Sequence, residues 1–494
     1  MMKPLFAGTL LFLLAAIAPA ADAIPDRPEK LEFPVLKYEP PRAVDHRVVL
    51  KSGPVAYVVP DRELPLVNLV IYVRTGQYNE PTGKEGLASL TGSLLARGGI
   101  KSKSAEELEE RLAFLAAGLN ASGGDTQATV SLNLLSKDLD EGLALLREAL
   151  TAPRLQEDKL ALFKQQSLQA MKQRNDDSAD IEQRERRYLA YGENFWVNRH
   201  PTQASIESIT RADIETFHRR WFHPKNFVVA ASGDFDRAAM VAKLEKLFDS
   251  WPFQGEPARP VPSDKQFASP GIYFVDKDVN QGRVSLLLPG IRRDDPDYYA
   301  VEVMNDILGG GGFTSRIMNR VRSDEGLAYS AGTGFPGGVY YPLSFVAVFQ
   351  SKSGTVAYAT SLVVEEMQKI AVTPVTAEEL ETTKKSFIET FPGSFATKAQ
   401  VAGALAQEEF TGRHAKTPEH FKSYRAKIAA VTAADVQRVA KKFLTPEKVV
   451  ILVVGQKEAI LKGHPNHPVK IESLAPRVVD VPLRDPLTMK AQPR

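Results

Sequence analysis

Eight histidines are the first place to look for chemistry in these 494 residues. A metal-activated water needs two imidazoles on one helix face, as in the H-x-x-E-H and H-E-x-x-H patterns, where the intervening Glu acts on the bound water. No pair has that spacing. His218 and His223 stand five apart on a helix that Pro224 ends, and His464 and His467 three apart in a proline-broken stretch, so both pairs read as solvated surface histidines. Cysteine is absent, which excludes disulfides, thiolate zinc sites, iron–sulfur clusters and cysteine nucleophiles together. No G-x-S-x-G elbow occurs, and no Walker lysine follows a glycine loop. The one glycine run, Gly309 to Gly312, lacks the G-K-[ST] ending of a phosphate cradle and reads as a hinge or a close backbone approach.

The elements that would position such residues mix two periodicities. Leu69 to Val73 reads as a strand, and Ala128, Val130, Leu132 and Leu134 alternate as one face of another. Ser104 with Glu107 forms a capping box ahead of Leu108, Leu112 and Leu115, and Leu139, Leu143, Leu146 and Leu150 stripe the next helix. Further on, Val284, Leu286 and Leu288 give a strand, Phe345, Ala347 and Phe349 another, and Ser361 to Ile370 a helix. The order fits an α+β fold, an antiparallel sheet covered by helices, formed twice.

The repetition is visible in the residues. Thr210-Arg211-Ala212-Asp213, Trp221-Phe222-His223-Pro224 and Phe227 to Gly233 meet, 222 positions on and without a gap, Thr432-Ala433-Ala434-Asp435, Phe443-Leu444-Thr445-Pro446 and Val449 to Gly455. Each copy opens a helix with a Thr-x-x-Asp box, stops it with Pro and ends a strand at Gly. Proline-rich stretches mark the boundaries: residues 24–44 as an extended arm, 251–271 as a linker and 463–494 as a tail lying over the surface. Two duplicated domains then occupy 45–250 and 272–462.

Residues 1–23 carry Lys3, an apolar run from Leu5 to Ile17 and small-x-small sites ending at Ala20 and Ala23, the pattern of a cleaved export signal; the run is short of the ~20 residues a spanning helix needs. The expected address is a bacterial periplasm, with no stable membrane insertion. Lys and Arg number 62 against 60 Asp and Glu, a net charge of +2, so nucleic acid is not an expected partner.

The segment Leu308-Gly309-Gly310-Gly311-Gly312-Phe313-Thr314-Ser315-Arg316-Ile317, running on to Arg322-Ser323-Asp324-Glu325-Gly326-Leu327-Ala328-Tyr329-Ser330, closely resembles the second-domain signature of the pitrilysin/insulinase family of inverted-zincin peptidases. Tyr191-Gly192, Ser205 to Thr210, Phe217 to Trp221 and Asn226 to Phe235 support the likeness, which spans roughly residues 45–456. In that family the zinc helix follows Gly-Leu-Ala and reads H-x-x-E-H. Here Gly86-Leu87-Ala88 continues as Ser89-Leu90-Thr91-Gly92-Ser93: Ser at both ligand positions, Gly at the base position. The family's carboxylate ligand, roughly 77 residues after the second His, falls at Ala170. A serine hydroxyl is a poor zinc ligand, so no metal is expected in this chain.

The resemblance implies, in contrast, that the family's Arg/Tyr pair is matched by Arg322 and Tyr329, which bind the substrate backbone and stabilise the oxyanion, with Gly309, Gly310, Gly311, Gly312 and Phe313 beside the substrate. A guanidinium and a phenol are sensible donors where negative charge develops, and Gly326 between them would let the chain turn so that the two meet. Some exported members resemble split enzymes, one subunit bearing zinc and the other the Arg/Tyr pair. The expectation is therefore a zinc-free subunit of a clamshell, metallohydrolase-like peptidase, whose cofactor zinc sits in a homologous partner and whose substrate is peptide or unfolded polypeptide. A structural or peptide-binding homologue, like the family's relatives in the respiratory bc1 complex, is the alternative. A self-sufficient zinc peptidase is the reading these residues favour least.

Overall fold

The computed structural model describes residues 37–492, together with Arg27 and Leu31. The expected signal and most of the extended arm lie outside the described residues.

Two six-stranded sheets form the frame. The first holds β1 (Arg47–Val49), β2 (Val55–Pro60), β3 (Leu66–Val73), β4 (Gly118–Gly123), β5 (Ala128–Leu135) and β6 (Phe227–Gly233) in the order β1-β2-β6-β3-β5-β4. The second holds β7 (Gly271–Asp276), β8 (Gln281–Leu288), β9 (Ala331–Gly334), β10 (Phe345–Lys352), β11 (Val450–Gly455) and β12 (Val478–Asp480) in the order β12-β7-β11-β8-β10-β9. The alternating strands appear where the pattern places them: Ala128, Val130, Leu132 and Leu134 of β5 are buried, as are Phe345, Ala347 and Phe349 of β10.

The sheets are mixed rather than wholly antiparallel. β6 slots between β2 and β3, parallel to the first and antiparallel to the second, and β11 does the same between β7 and β8. A strand inserted between two oppositely directed neighbours must run parallel to one of them. These inserted strands are the repeated Phe227–Gly233 and Val450–Gly455, both buried along their whole length, as the central strands of covered sheets should be. The preceding helices, Arg211–Trp221 and Ala433–Phe443, each open with the expected reciprocal box, Thr210 with Asp213 and Thr432 with Asp435.

One face of each sheet packs on its own half's helices. The other is covered by a helix from the opposite half. Ser178–Tyr191 lies on β8 and β11, with Ile181 among Tyr273, Leu287, Val450 and Leu452. Reciprocally, Lys398–Phe410 lies on β2 and β6, and its Glu409 receives hydrogen bonds from Arg47 Nε (3.0 Å) and Tyr57 Oη (2.9 Å). The helix expected over Ser361 to Ile370 is longer, Val356–Val372, because no Gly or Pro interrupts the chain between those limits.

Two further expectations need correction. The stretch after Gly463 does more than lie on the surface: Val478–Asp480 adds to β7 as a parallel edge strand, and Arg484 pairs with Glu185 (3.2 Å) and Glu193 (2.8 Å) of the first half. Pro476 and Pro482 flank five residues with free N–H groups, enough for a three-residue strand. His218 and His223 are not solvated; they are 2% and 3% exposed. The linker folds back over them, so Phe253 contacts the His218 ring and the Glu256 carbonyl takes a 2.7 Å hydrogen bond from His223 Nε2. Burial lowers the His218 pKa to about 4, which keeps it neutral. His467 stacks on Tyr358 at 4.1 Å between centroids, beside His464.

Candidate functional site

The Arg322 segment departs from regular helix. After the helix Tyr298–Asn305 the chain continues as a π-helical turn, Asp306–Gly310, in which a Cβ on Gly309 would stand 2.8 Å from the Thr333 backbone nitrogen of β9. Glycine is what permits this approach of helix to strand. A second π-helical turn, Asn319–Asp324, carries Arg322. It closes at Gly326, with φ +64°, where the Leu327 N–H donates to the Val321 carbonyl (2.9 Å) and the Gly326 N–H to the Arg322 carbonyl (3.0 Å). That closure is one residue wider than an α-helical Schellman cap, as a π turn requires.

The turn brings three side chains together. The Arg322 guanidinium carbon lies 4.5 Å from the Phe313 ring centroid and 5.0 Å from that of Tyr329. Phe313 is 69% and Tyr329 86% exposed, unusual for side chains of that size. Neighbouring arginines are committed elsewhere: Arg316 forks onto Glu379 (2.6 and 2.8 Å) and Arg320 pairs with Glu325 (3.0 Å). Arg322 has no carboxylate partner among the described residues; it is partly exposed and lies against the two aromatic rings. Chemically, this is a surface-presented cation with a phenol beside it, able to receive a carbonyl or an oxyanion from outside the chain.

The helix at the family's zinc position is Leu87–Arg97. Its N-terminus is held by Glu80, buried, which accepts from the N–H groups of Gly86 (3.2 Å) and Ala88 (2.7 Å). Burial raises the Glu80 carboxyl to about 7, against the lowering effect of those two hydrogen bonds. Ser89 and Ala170 line one hollow of about 240 Å³, bordered also by Ser167 and Arg174. The Ser93 hydroxyl donates to the Ser89 carbonyl (3.1 Å) and is spent within the helix.

Zinc does not fit these residues. Ser89, Gly92, Ser93 and Ala170 offer neither imidazole nor carboxylate. The base position is also closed sterically: a Cβ on Gly92 would stand 2.7 Å from Ser122 Cα and Gly123 N, because β4 presses its backbone against the helix. Across the same contact, a Cβ on Gly123 would meet the Ala88 carbonyl oxygen at 2.2 Å. Among the described residues, no group of three His, Asp or Glu could hold a metal ion.

Glu80 carries no periodic or motif signal visible in the sequence, nor do Arg74 and Arg293, which line one cavity between the halves. Each sits in ordinary loop or strand-end sequence, and tertiary packing alone gives it a role.

The profile described as Insulinase (peptidase family M16) matches residues 58–193, and the profile described as Peptidase M16 inactive domain matches residues 208–387. The chain belongs to the pitrilysin/insulinase family, M16. Among M16 relatives, an uncharacterized zinc protease of Mycobacterium tuberculosis is 28% identical over 267 residues, 53% of this chain and 60% of the relative's own length. A non-peptidase homolog of Helicobacter pylori is 25% identical over 338 residues, 67% of this chain and 76% of its own. The crystal structure of a peptidase M16 inactive domain from Pseudomonas fluorescens superposes with a TM-score of 0.74 at 25% identity, covering 83% of this chain and 97% of that one. The two-sheet α+β architecture is thus the M16 fold, on a chain whose zinc-helix positions hold Ser and Gly.

Proposed function

We propose that this chain is the zinc-free subunit of an exported, periplasmic M16 peptidase, and that it presents Arg322 and Tyr329 to a substrate held at the metal centre of a zinc-bearing homologue. One observation carries the reading: the metal-side positions are filled by residues that bind no zinc, while Arg322, with no carboxylate partner among the described residues, lies against an exposed Tyr329. The partner would contribute metal, water and base. This chain's share is electrostatic. As a peptide carbonyl is attacked, its oxygen gains negative charge, and the Arg322 guanidinium and Tyr329 hydroxyl donate to it from one side. Phe313 keeps the guanidinium from collapsing onto the protein surface, and the glycine run lets peptide backbone pass close by. β4 and β9 end their sheets, each with one side unpaired by another strand, where an extended peptide would add.

The test mixes the purified chain with an exported zinc-bearing homologue and follows a quenched peptide. Cleavage should exceed that of the homologue alone, Arg322→Ala should lower kcat by about 100-fold, and Tyr329→Phe by less. A mixture no faster than the homologue alone, or an unaffected Arg322→Ala, rejects the reading.

The non-catalytic alternative draws on the Helicobacter pylori relative, named a non-peptidase homolog. Under it, peptide would bind with the same affinity whether or not Arg322 is present, and no partner would produce turnover.

A further inference from the structure

A large hollow lies away from both Arg322 and Ser89, neither of which lines it. It encloses about 800 Å³ between the two halves, the size of a small-molecule site. Eight lysines and arginines line it against three aspartates among the described residues. Several of these cations are spoken for: Arg292 and Lys416 share Asp294 (3.0 and 3.3 Å), and Arg438 pairs with Asp297 (2.7 Å).

Arg74 and Arg293 are not. Arg74 follows β3 of the first half, and Arg293 precedes the helix Tyr298–Asn305 of the second. Among the described residues neither makes an ion pair. Each gives a single hydrogen bond to a main-chain carbonyl at the C-terminal end of the helix Lys398–Phe410: Arg74 Nη2 to Glu409 (3.3 Å) and Arg293 Nη2 to Thr411 (3.0 Å). That leaves four of five N–H donors on each guanidinium. Burial lowers the pKa of both, outweighing the raising effect of Glu409 on Arg74 and of Glu408 and Asp294 on Arg293.

The walls around them are aromatic and donor-rich. Arg74 stacks 5.2 Å from the Phe410 centroid, Lys427 lies 5.0 Å from that of Tyr299, and Tyr340 feels both guanidiniums. His420, which receives a hydrogen bond from Arg413 (2.5 Å), is driven down to about 3 by burial and that arginine, so it adds polarity rather than a further cation.

We infer that this interdomain cavity is a binding site for a small polyanion, a molecule bearing two or more phosphate or carboxylate groups that bridges Arg74 and Arg293. Planar guanidiniums bind both anion types through paired donors, and the flanking rings would seat a flat organic portion. Because one arginine comes from each half, the bound anion ties the halves together. The inference is independent of the peptidase partner.

The experiment titrates the full chain, in low-salt chloride buffer free of phosphate and sulfate, with pyrophosphate in one arm and tricarballylate in the other. One-to-one binding in either calorimetric titration, weakened by added NaCl and matched by a rise in Tm, supports the site; the arm that binds more tightly identifies the anion class. Arg293→Gln and Arg74→Gln should each weaken binding at least about 10-fold, while Lys457→Gln, on a remote surface, leaves it unchanged. If Arg74→Gln fails to fold, Arg293→Gln alone decides, with Arg293→Lys restoring part of the affinity. No saturable binding by either probe at about 1 mM, or saturable binding indifferent to Arg293→Gln, overturns the site.

Discussion

At the residue scale, the chain separates charges that neutralise one another from charges kept available. Arg316, Arg320 and Arg484 have carboxylate partners, whereas Arg322 lies between two exposed rings. Its type and its spacing from Tyr329 are readable in the sequence; its open state is not, because that depends on which carboxylates the fold brings near. Glu80 shows the converse. With its carboxyl raised to about 7 from 4.5, the folded state holds a proton that the unfolded chain has released, so this group's stabilising contribution is present below about pH 4.5 and is lost as pH rises through 7. Denaturant unfolding across that interval should show stability falling with pH, and Glu80→Gln should flatten the slope. An unchanged slope in the variant would assign the pH dependence to other groups.

At the scale of elements, the helix Leu87–Arg97 is held against β4 by a contact only glycines allow. Gly92→Ala would normally favour a helix by about 1 kcal/mol. Here the added methyl meets backbone at 2.7 Å, which cannot rotate away, and overpacking of this kind costs about 1–3 kcal/mol. The expected outcome is a net loss of stability with the helix content retained, read by thermal unfolding and far-UV circular dichroism. A stabilised Gly92→Ala would mean that the strand yields and that the base position is open. The capping boxes at Thr210 and Thr432 and the alternation in β5 were legible because they depend on neighbours in the chain. The parallel pairing of β6 and β11 was not, since a strand's own residues do not say between which neighbours it will be inserted.

At the scale of the whole molecule, each half lends a helix to the other's sheet, and the final segment crosses from β7 to the first half. Arg484 clamps that crossing, forking onto Glu193 (2.8 and 2.9 Å) and reaching the buried Glu185 (3.2 Å). Arg484→Ala should lower unfolding stability by about 2 kcal/mol, measured from the denaturant midpoint at constant m-value. An unmoved midpoint would mean that the tail only drapes over the surface. The sequence by itself determined the duplicated α+β plan, the M16 resemblance and the replacement of ligand side chains at Ser89, Gly92, Ser93 and Ala170, because these are statements of residue type and local order. Tertiary structure alone decided that His218 and His223 are buried, that proline-rich sequence supplies an edge strand, and that Arg74 and Arg293 line one cavity. Those outcomes depend on which distant surfaces come together to exclude water, and no spacing along the chain encodes that.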